Sequence, residues 1–261
     1  MADLSTTPPL TRDSVIEAHK LVKPHVHLTP VLTNRTLSEL ASTPRTAEEL
    51  AGTRWAGRTP ARPVLRLWFK CENMQRVGAF KARGAFHAVE RLKQEPGWLD
   101  GGGKEKGVVT HSSGELVLVP ITVTKIDILS RSISVTDWGN ACPGNHAAAL
   151  ALAARESGIR AHIVMPDISI PQKIAATRGY GANVVFSGST SVEREAVAAR
   201  VMADTGARLV PPYDHPDIML GQGTMGLELQ QQVAELMKPA GAEPRFRAAA
   251  TGRDNAGPGR P

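Results

Sequence analysis

The chain has 261 residues, 41% of them hydrophobic, 21% charged and only 4% aromatic, with a net charge of +6. That balance fits one large or two small soluble domains, and the abundance of Ala, Val and Leu favours helices packed on a sheet over an all-β sandwich. No apolar run approaches the roughly 20 residues that span a bilayer, and the scattered basic residues lack the aromatic interleaving of a nucleic-acid surface.

Two cysteines, Cys71 and Cys142, make no disulfide framework and suit a reducing, cytoplasmic setting. Residues 1–10 show no basic-then-apolar leader pattern. In chain order, residues 11–22 read as an amphipathic helix through Val15, Ile16, Ala18, Leu21 and Val22. Residues 28–32 are extended around Pro30, and 42–63, rich in Thr, Pro, Arg and Gly, form a surface excursion. A strand at 65–70 and a helix at 79–93 follow. Beyond them, strands at 107–111, 161–165, 183–186 and 208–210 alternate with helices at 145–157, 171–180, 191–204 and 221–236. This alternation predicts βαβ units and a mostly parallel, twisted sheet flanked by helices. Ligands of such sheets sit at the carboxyl ends of the strands.

The densest chemistry lies in Lys70-Cys71-Glu72-Asn73-Met74-Gln75 and Gly78-Ala79-Phe80-Lys81-Ala82-Arg83-Gly84-Ala85. A lysine in the first turn of a helix faces the positive end of the helix dipole, which disfavours its protonated form. Only the neutral amine attacks a carbonyl, so that placement suits Schiff-base chemistry. Arg83 adds positive potential in the same direction where it faces the amine. By physics alone a solvated surface lysine is the commoner case.

The ordered string resembles the cofactor-lysine signature of the serine racemase/threonine dehydratase family, with its tryptophan-synthase-β-like fold (pyridoxal-phosphate fold type II). The resemblance implies pyridoxal 5'-phosphate as cofactor, carried on Lys81 with Phe80 packed beside its ring. It also implies a small amino-acid substrate of the serine, threonine or hydroxylated-aspartate type, and homodimers among full-length members.

After the strand at 107–111 comes Ser112-Ser113-Gly114, and the continuation that the family shows, Asn145-His146-Ala147, arrives thirty residues late. Joining Gly114 to Asn145 restores Ser-Ser-Gly-Asn-His-Ala. Hydroxyls and backbone N–H groups at a helix N-terminus bind a carboxylate well. By resemblance, Ser112 and Ser113 hold the substrate carboxylate, Asn145 meets the cofactor's phenolic oxygen and His146 supports the loop. Ser113 matches the acid/base that faces the lysine in racemases.

Residues 115–144 therefore read as an insert foreign to the fold. Its ends can be encoded with GTGAG and CAG at the junctions and it keeps the frame, as a retained intron would.

Asp214-His215-Pro216 and Gly221-Gln222-Gly223-Thr224, with Glu228, read as structural backing of the site. The resemblance runs to about Leu236 and stops before the glycine-rich phosphate loop of the family. The cation site of some racemases also falls in that later part, so no metal ligand is expected here. Gly101-Gly102-Gly103 precedes a strand and reads as a turn. The chain thus divides into a catalytic region, 1–237, carrying the insert, and a disordered tail, 238–261. Two functions follow as expectations: a dehydratase (ammonia-lyase) or racemase working through Lys81, or an inactive fragment that binds cofactor or a partner weakly.

Overall fold

The computed structural model describes residues 7–112 and 144–238. Helix α1 (Arg12–Val22) opens on Thr11, whose hydroxyl accepts the Ser14 N–H, so the helix begins one residue later than expected. The extended stretch becomes β1 (Val31–Thr33). Helix α2 (Arg35–Ser42) follows, unpredicted, and the surface excursion after it is less irregular than its composition suggests, because it carries α3 (Ala47–Ala51). Asn34 caps the first, and a reciprocal Thr46–Glu49 box caps the second. The Thr-x-x-Glu spacing was the available signal for that box. The expected strand at 65–70 shortens to β2 (Trp68–Lys70), which pairs antiparallel with β1.

Helix α4 (Lys81–Lys93) starts two residues later than expected. Ahead of it, Val77 and Gly78 turn left-handed, at φ 56° and 69°, and Ala79 is extended. The glycine run forms a turn into the short α5 (Gly103–Lys106), with Gly102 at φ 76°. Then follow β3 (Val108–His111), α6 (Asn145–Glu156), β4 (Ala161–Pro166), α7 (Pro171–Gly179), β5 (Asn183–Ser187), α8 (Ser191–Thr205), β6 (Arg208–Leu209) and α9 (Pro216–Leu236). Helix α9 begins five residues before the expected 221, capped by His215 with Pro216 in its first turn. Proline suits that position because its missing N–H would have had no helical partner.

The four later strands form one parallel sheet in the order β5-β4-β3-β6, as the alternation predicted. Its two faces follow the period-2 rule of strands. Val108, Ala161, Ile163 and Met165 join the core with α4 and the Ala-rich α6, while Val109 and Val164 pack on Ala198 and Val201 of α8. Both faces are thus covered, which explains why these strands read as continuous apolar runs. No helix among the described residues is long and apolar enough to cross a membrane.

The strand order decides where a site can form. From β3 the chain moves outward through β4 and β5, then returns to the far side of β3 as β6. The carboxyl ends of β3 and β6 therefore diverge around a crevice, the topological switch point. Past β6, Val210 still donates to Val109 O at 2.8 Å, but Pro211 and Pro212 have no N–H and end the ladder.

Candidate active site

Lys81 opens α4 and reaches this crevice. Its Nζ donates to the carbonyl of Pro212, just beyond β6, at 2.8 Å. The amine is half-buried, and desolvation holds its pKa below the usual lysine value. It lies 5.5 Å from the ring centroid of Phe80, which is 40% exposed and so presents an open aromatic edge.

His146, in the first turn of α6, enters from the other side. It is fully buried, and its Nε2 lies 3.4 Å from Val210 O. A carbonyl only accepts, so Nε2 carries the proton and Nδ1 is left as an acceptor. Burial first, then the Lys81 charge, pushes the His146 pKa down to about 3. Ser112 directly follows β3: its N–H continues the ladder to Val164 O at 2.8 Å, and the residue is fully buried. Ser112 Oγ, His111 Nδ1 and His146 Nδ1 have no hydrogen-bond partner among the described residues.

Asn145 is the first residue of α6 and partly buried. Gly144 before it turns at φ 118°, and a Cβ there would stand 3.4 Å from the Lys173 side chain. Ser113 lies outside the described residues, as do the adjoining 114–143.

The structure brings Lys81, Phe80 and His146 together from positions up to 66 residues apart in the chain. The field of His111 also reaches His146, so the end of β3 and the start of α6 meet at one crevice. Arg83 does not join them. Its side chain is fully buried between Glu72 and Glu228, with Nε 2.7 Å from Glu72 Oε2 and Nη1 2.8 Å from Glu228 Oε1. Two residues along a helix turn through about 200°, so Arg83 faces away from the Lys81 amine. Burial, and not Arg83, is the cause of the lowered Lys81 pKa.

Arg194 is a residue that the sequence reading missed. It is 2% exposed in the first turn of α8, where Nη1 donates to Ser189 O at 2.6 Å. Burial chiefly lowers the His111 pKa, with the Arg194 charge acting in the same sense and the Glu195 charge against it, so both charges lie near the carboxyl end of β3. Only its place after the Thr190 cap could have marked Arg194.

A cleft of about 770 Å³ lies elsewhere, between the end of α4, α8 and the outer side of β6. Its charges are already paired, Arg208 with Glu95 at 2.8 Å and Arg91 with Asp217 at 3.5 Å. The unpartnered His146 Nδ1 belongs instead to the residue that faces Lys81.

A half-buried amine whose pKa is lowered by burial, an open aromatic ring and several buried polar atoms suit an anionic aromatic aldehyde. Residues 53–119 and 137–245 match the family described as pyridoxal-phosphate dependent enzyme. The chain belongs to that family. The match to the pyridoxal-phosphate family omits residues 120–136, inside the segment 115–144 that interrupts the Ser-Gly and Asn-His halves of the loop.

Among curated proteins, the chain is 34% identical over 226 residues to L-threo-3-hydroxyaspartate ammonia-lyase of Saccharomyces cerevisiae, covering 87% of this chain and 51% of that protein. It is 36% identical over 223 residues to serine racemase of Arabidopsis thaliana, covering 85% and 50% respectively. The crystal structure of serine racemase from Dictyostelium discoideum is 31% identical, with a TM-score of 0.58 over 84% of this chain and 52% of that one. The crystal structure of a T.th. threonine deaminase is 31% identical, with a TM-score of 0.59 over 88% and 53%. The chain spans about half the length of the relatives it matches. The α/β fold, with a parallel sheet between helices, is that of the serine racemase and threonine deaminase group.

Proposed function

We propose that this chain supplies the lysine-bearing part of a pyridoxal-phosphate-dependent ammonia-lyase or racemase for serine-, threonine- or hydroxyaspartate-like amino acids. The observation that carries the reading is the half-buried Lys81 amine at the topological switch point, beside the buried His146, whose Nδ1 has no hydrogen-bond partner among the described residues.

Lys81 would hold the cofactor aldehyde, Phe80 would pack beside the ring, and Asn145 would meet its phenolic oxygen. When bound, pyridoxal phosphate supplies an electron sink for charge developing at the substrate Cα. The chain's own residues do the rest. Lys81 Nζ, as a free amine, would take the proton from the substrate Cα, a role that the lowering of its pKa by burial favours. Ser112, Ser113 and the N–H groups that open α6 hold the carboxylate, and the positive end of that helix favours the anion. His146, neutral across the physiological range, holds the floor of the crevice to β6 without competing for the proton.

Departure of the β-hydroxyl, taking a proton to leave as water, gives an enamine that a solvent water hydrolyses to an oxo acid and ammonia. A proton returned by Ser113 to the opposite face of Cα leads to the mirror-image amino acid instead. Two cysteines in 261 residues support a reducing compartment such as the cytoplasm, and the family resemblance supports a homodimer for full-length members.

The test is capture of the cofactor. The full chain incubated with pyridoxal phosphate should develop a visible band that borohydride abolishes, fixing one cofactor on the Lys81 peptide. Lys81→Ala should lose that label entirely. Labelling that survives Lys81→Ala, or spreads over surface lysines, would sink the reading. Ammonia release and enantiomer formation from serine, threonine and hydroxyaspartate then rank the substrates.

A further inference from the structure

Arg83 sits at the centre of a buried ionic cluster that none of the roles above uses. Glu72 takes two of its bonds, Nε to Oε2 at 2.7 Å and Nη2 to Oε1 at 2.9 Å. Glu228 takes two more, from Nη1 and Nη2, each at 2.8 Å. Thr224 Oγ1 at 3.3 Å and His27 O at 3.5 Å complete the fork.

Around it, Thr29 donates to Glu72 at 2.6 Å, and Lys70 Nζ contacts Glu228 Oε2, Thr29 O and Gln232 Oε1 at 2.8, 2.8 and 2.7 Å. His19 of α1 lies 3.4 Å from Glu228. One guanidinium therefore ties the first turn of α4 to the segment before β1, the turn after β2, and α9.

The start of α4 needs such a tie. Phe80 provides no side-chain cap, and the two residues before Ala79 are left-handed. An uncapped helix end ordinarily frays, yet a reacting amine must be held to within about 1 Å. Lys81 and Arg83 share one turn, so whatever fixes Arg83 fixes the direction in which Lys81 leaves the helix.

We propose that Arg83 is a positioning residue for Lys81: clamped by Glu72 and Glu228, its planar fork locks the first turn of α4 and delivers the Lys81 amine to the crevice between β3 and β6. Two cations, Lys70 and Arg83, face two carboxylates in the cluster, so it acts through geometry rather than through a net field. The inference rests on the reading of Lys81 as the cofactor lysine, but its test needs no cofactor.

In the cofactor-free full chain, competitive acetylation followed across pH and read by mass spectrometry gives the midpoint of Lys81 against the exposed Lys104. Around the Lys81 amine lie Pro212 O, the Phe80 ring and His146. Arg83→Lys keeps the charge but loses the fork, and the Lys81 midpoint should rise by about 0.5 pH unit or more as the amine gains solvent. Lys70→Met removes a buried cation of the same cluster that does not bond Arg83, and should leave the Lys81 midpoint in place. An unmoved midpoint in Arg83→Lys, or the same rise in both variants, overturns the proposal.

If Arg83→Lys does not fold, amide exchange of the unaltered chain decides. Amides 82–86 should exchange as slowly as the middle of α4, and a frayed first turn refutes the clamp. Failure of Lys81 to capture cofactor would sink the functional reading while leaving these two measurements unaffected.

Discussion

The Lys81 charge and the burial of His146 act together to keep that imidazole neutral, with a pKa of about 3. In the unfolded chain the same histidine titrates near 6.5. Between those values the unfolded state binds a proton that the native state refuses, so stability present above about pH 6.5 is lost progressively as pH falls toward 3. Burial pushes His87, His111, His162 and His215 in the same direction. The share of His146 is roughly 1 kcal/mol per pH unit across the upper part of this window. Urea unfolding at pH 7 and pH 5 should therefore show a smaller acid loss in His146→Gln than in the unaltered chain. Equal losses in the two proteins would remove His146 from the account.

At this scale the sequence was informative about identity and silent about direction. Lys81 could be picked out from its ordered string. That Arg83 turns away from the amine could not, because its partners Glu72 and Glu228 lie 11 and 145 residues distant.

Between elements, the crossing of α4 over α9 depends on two glycines. A Cβ at Gly221 would stand 2.7 Å from Arg83 O, from Gly84 Cα and from His87 Cβ. One at Gly84 would stand 2.9 Å from Ile218 O. Backbone cannot yield as a flexible side chain does, so Gly221→Ala should destabilise by about 1–3 kcal/mol despite the better helix propensity of alanine. Gly226, in the same helix, has nothing within 4 Å of its would-be Cβ. There Gly226→Ala should stabilise by up to about 1 kcal/mol. Denaturant midpoints of the two variants test the contrast, and shifts of the same sign would contradict it.

The capping signals Thr46-x-x-Glu49 and Pro216 stand in the sequence but went unread: the composition of 42–63 obscured the first, and the glycines at 221 and 223 drew the start of α9 too late. The length of β2 was not legible. Residues 65–67 are as apolar as a strand requires, but the ladder with β1 spans only Trp68 to Lys70.

Across the whole molecule, the site exists because the strand order reverses at β3, bringing Pro212 and Val210 to Lys81 and His146. The segment 115–144 joins the end of β3 to the start of α6, both of which line that crevice. Excising it to join Gly114 directly to Asn145 should raise the borohydride-fixed cofactor at Lys81 by about tenfold or more, since small displacements at a reacting centre cost orders of magnitude. Equal labelling of both chains would count against treating the segment as foreign to the site. Transcript sequencing across the junction would show whether these codons are retained.

By itself the sequence determined the alternation of strands and helices, the lysine and serine-loop strings and the chemistry those strings imply, because periodicity and local motifs are written within a few turns of chain. Tertiary structure alone decided that β6 lies beside β3, that Arg83 is buried in an ionic cluster and that burial lowers the Lys81 pKa. Each of those depends on groups brought together from distant positions, and desolvation is a property of the folded surroundings that no single segment carries.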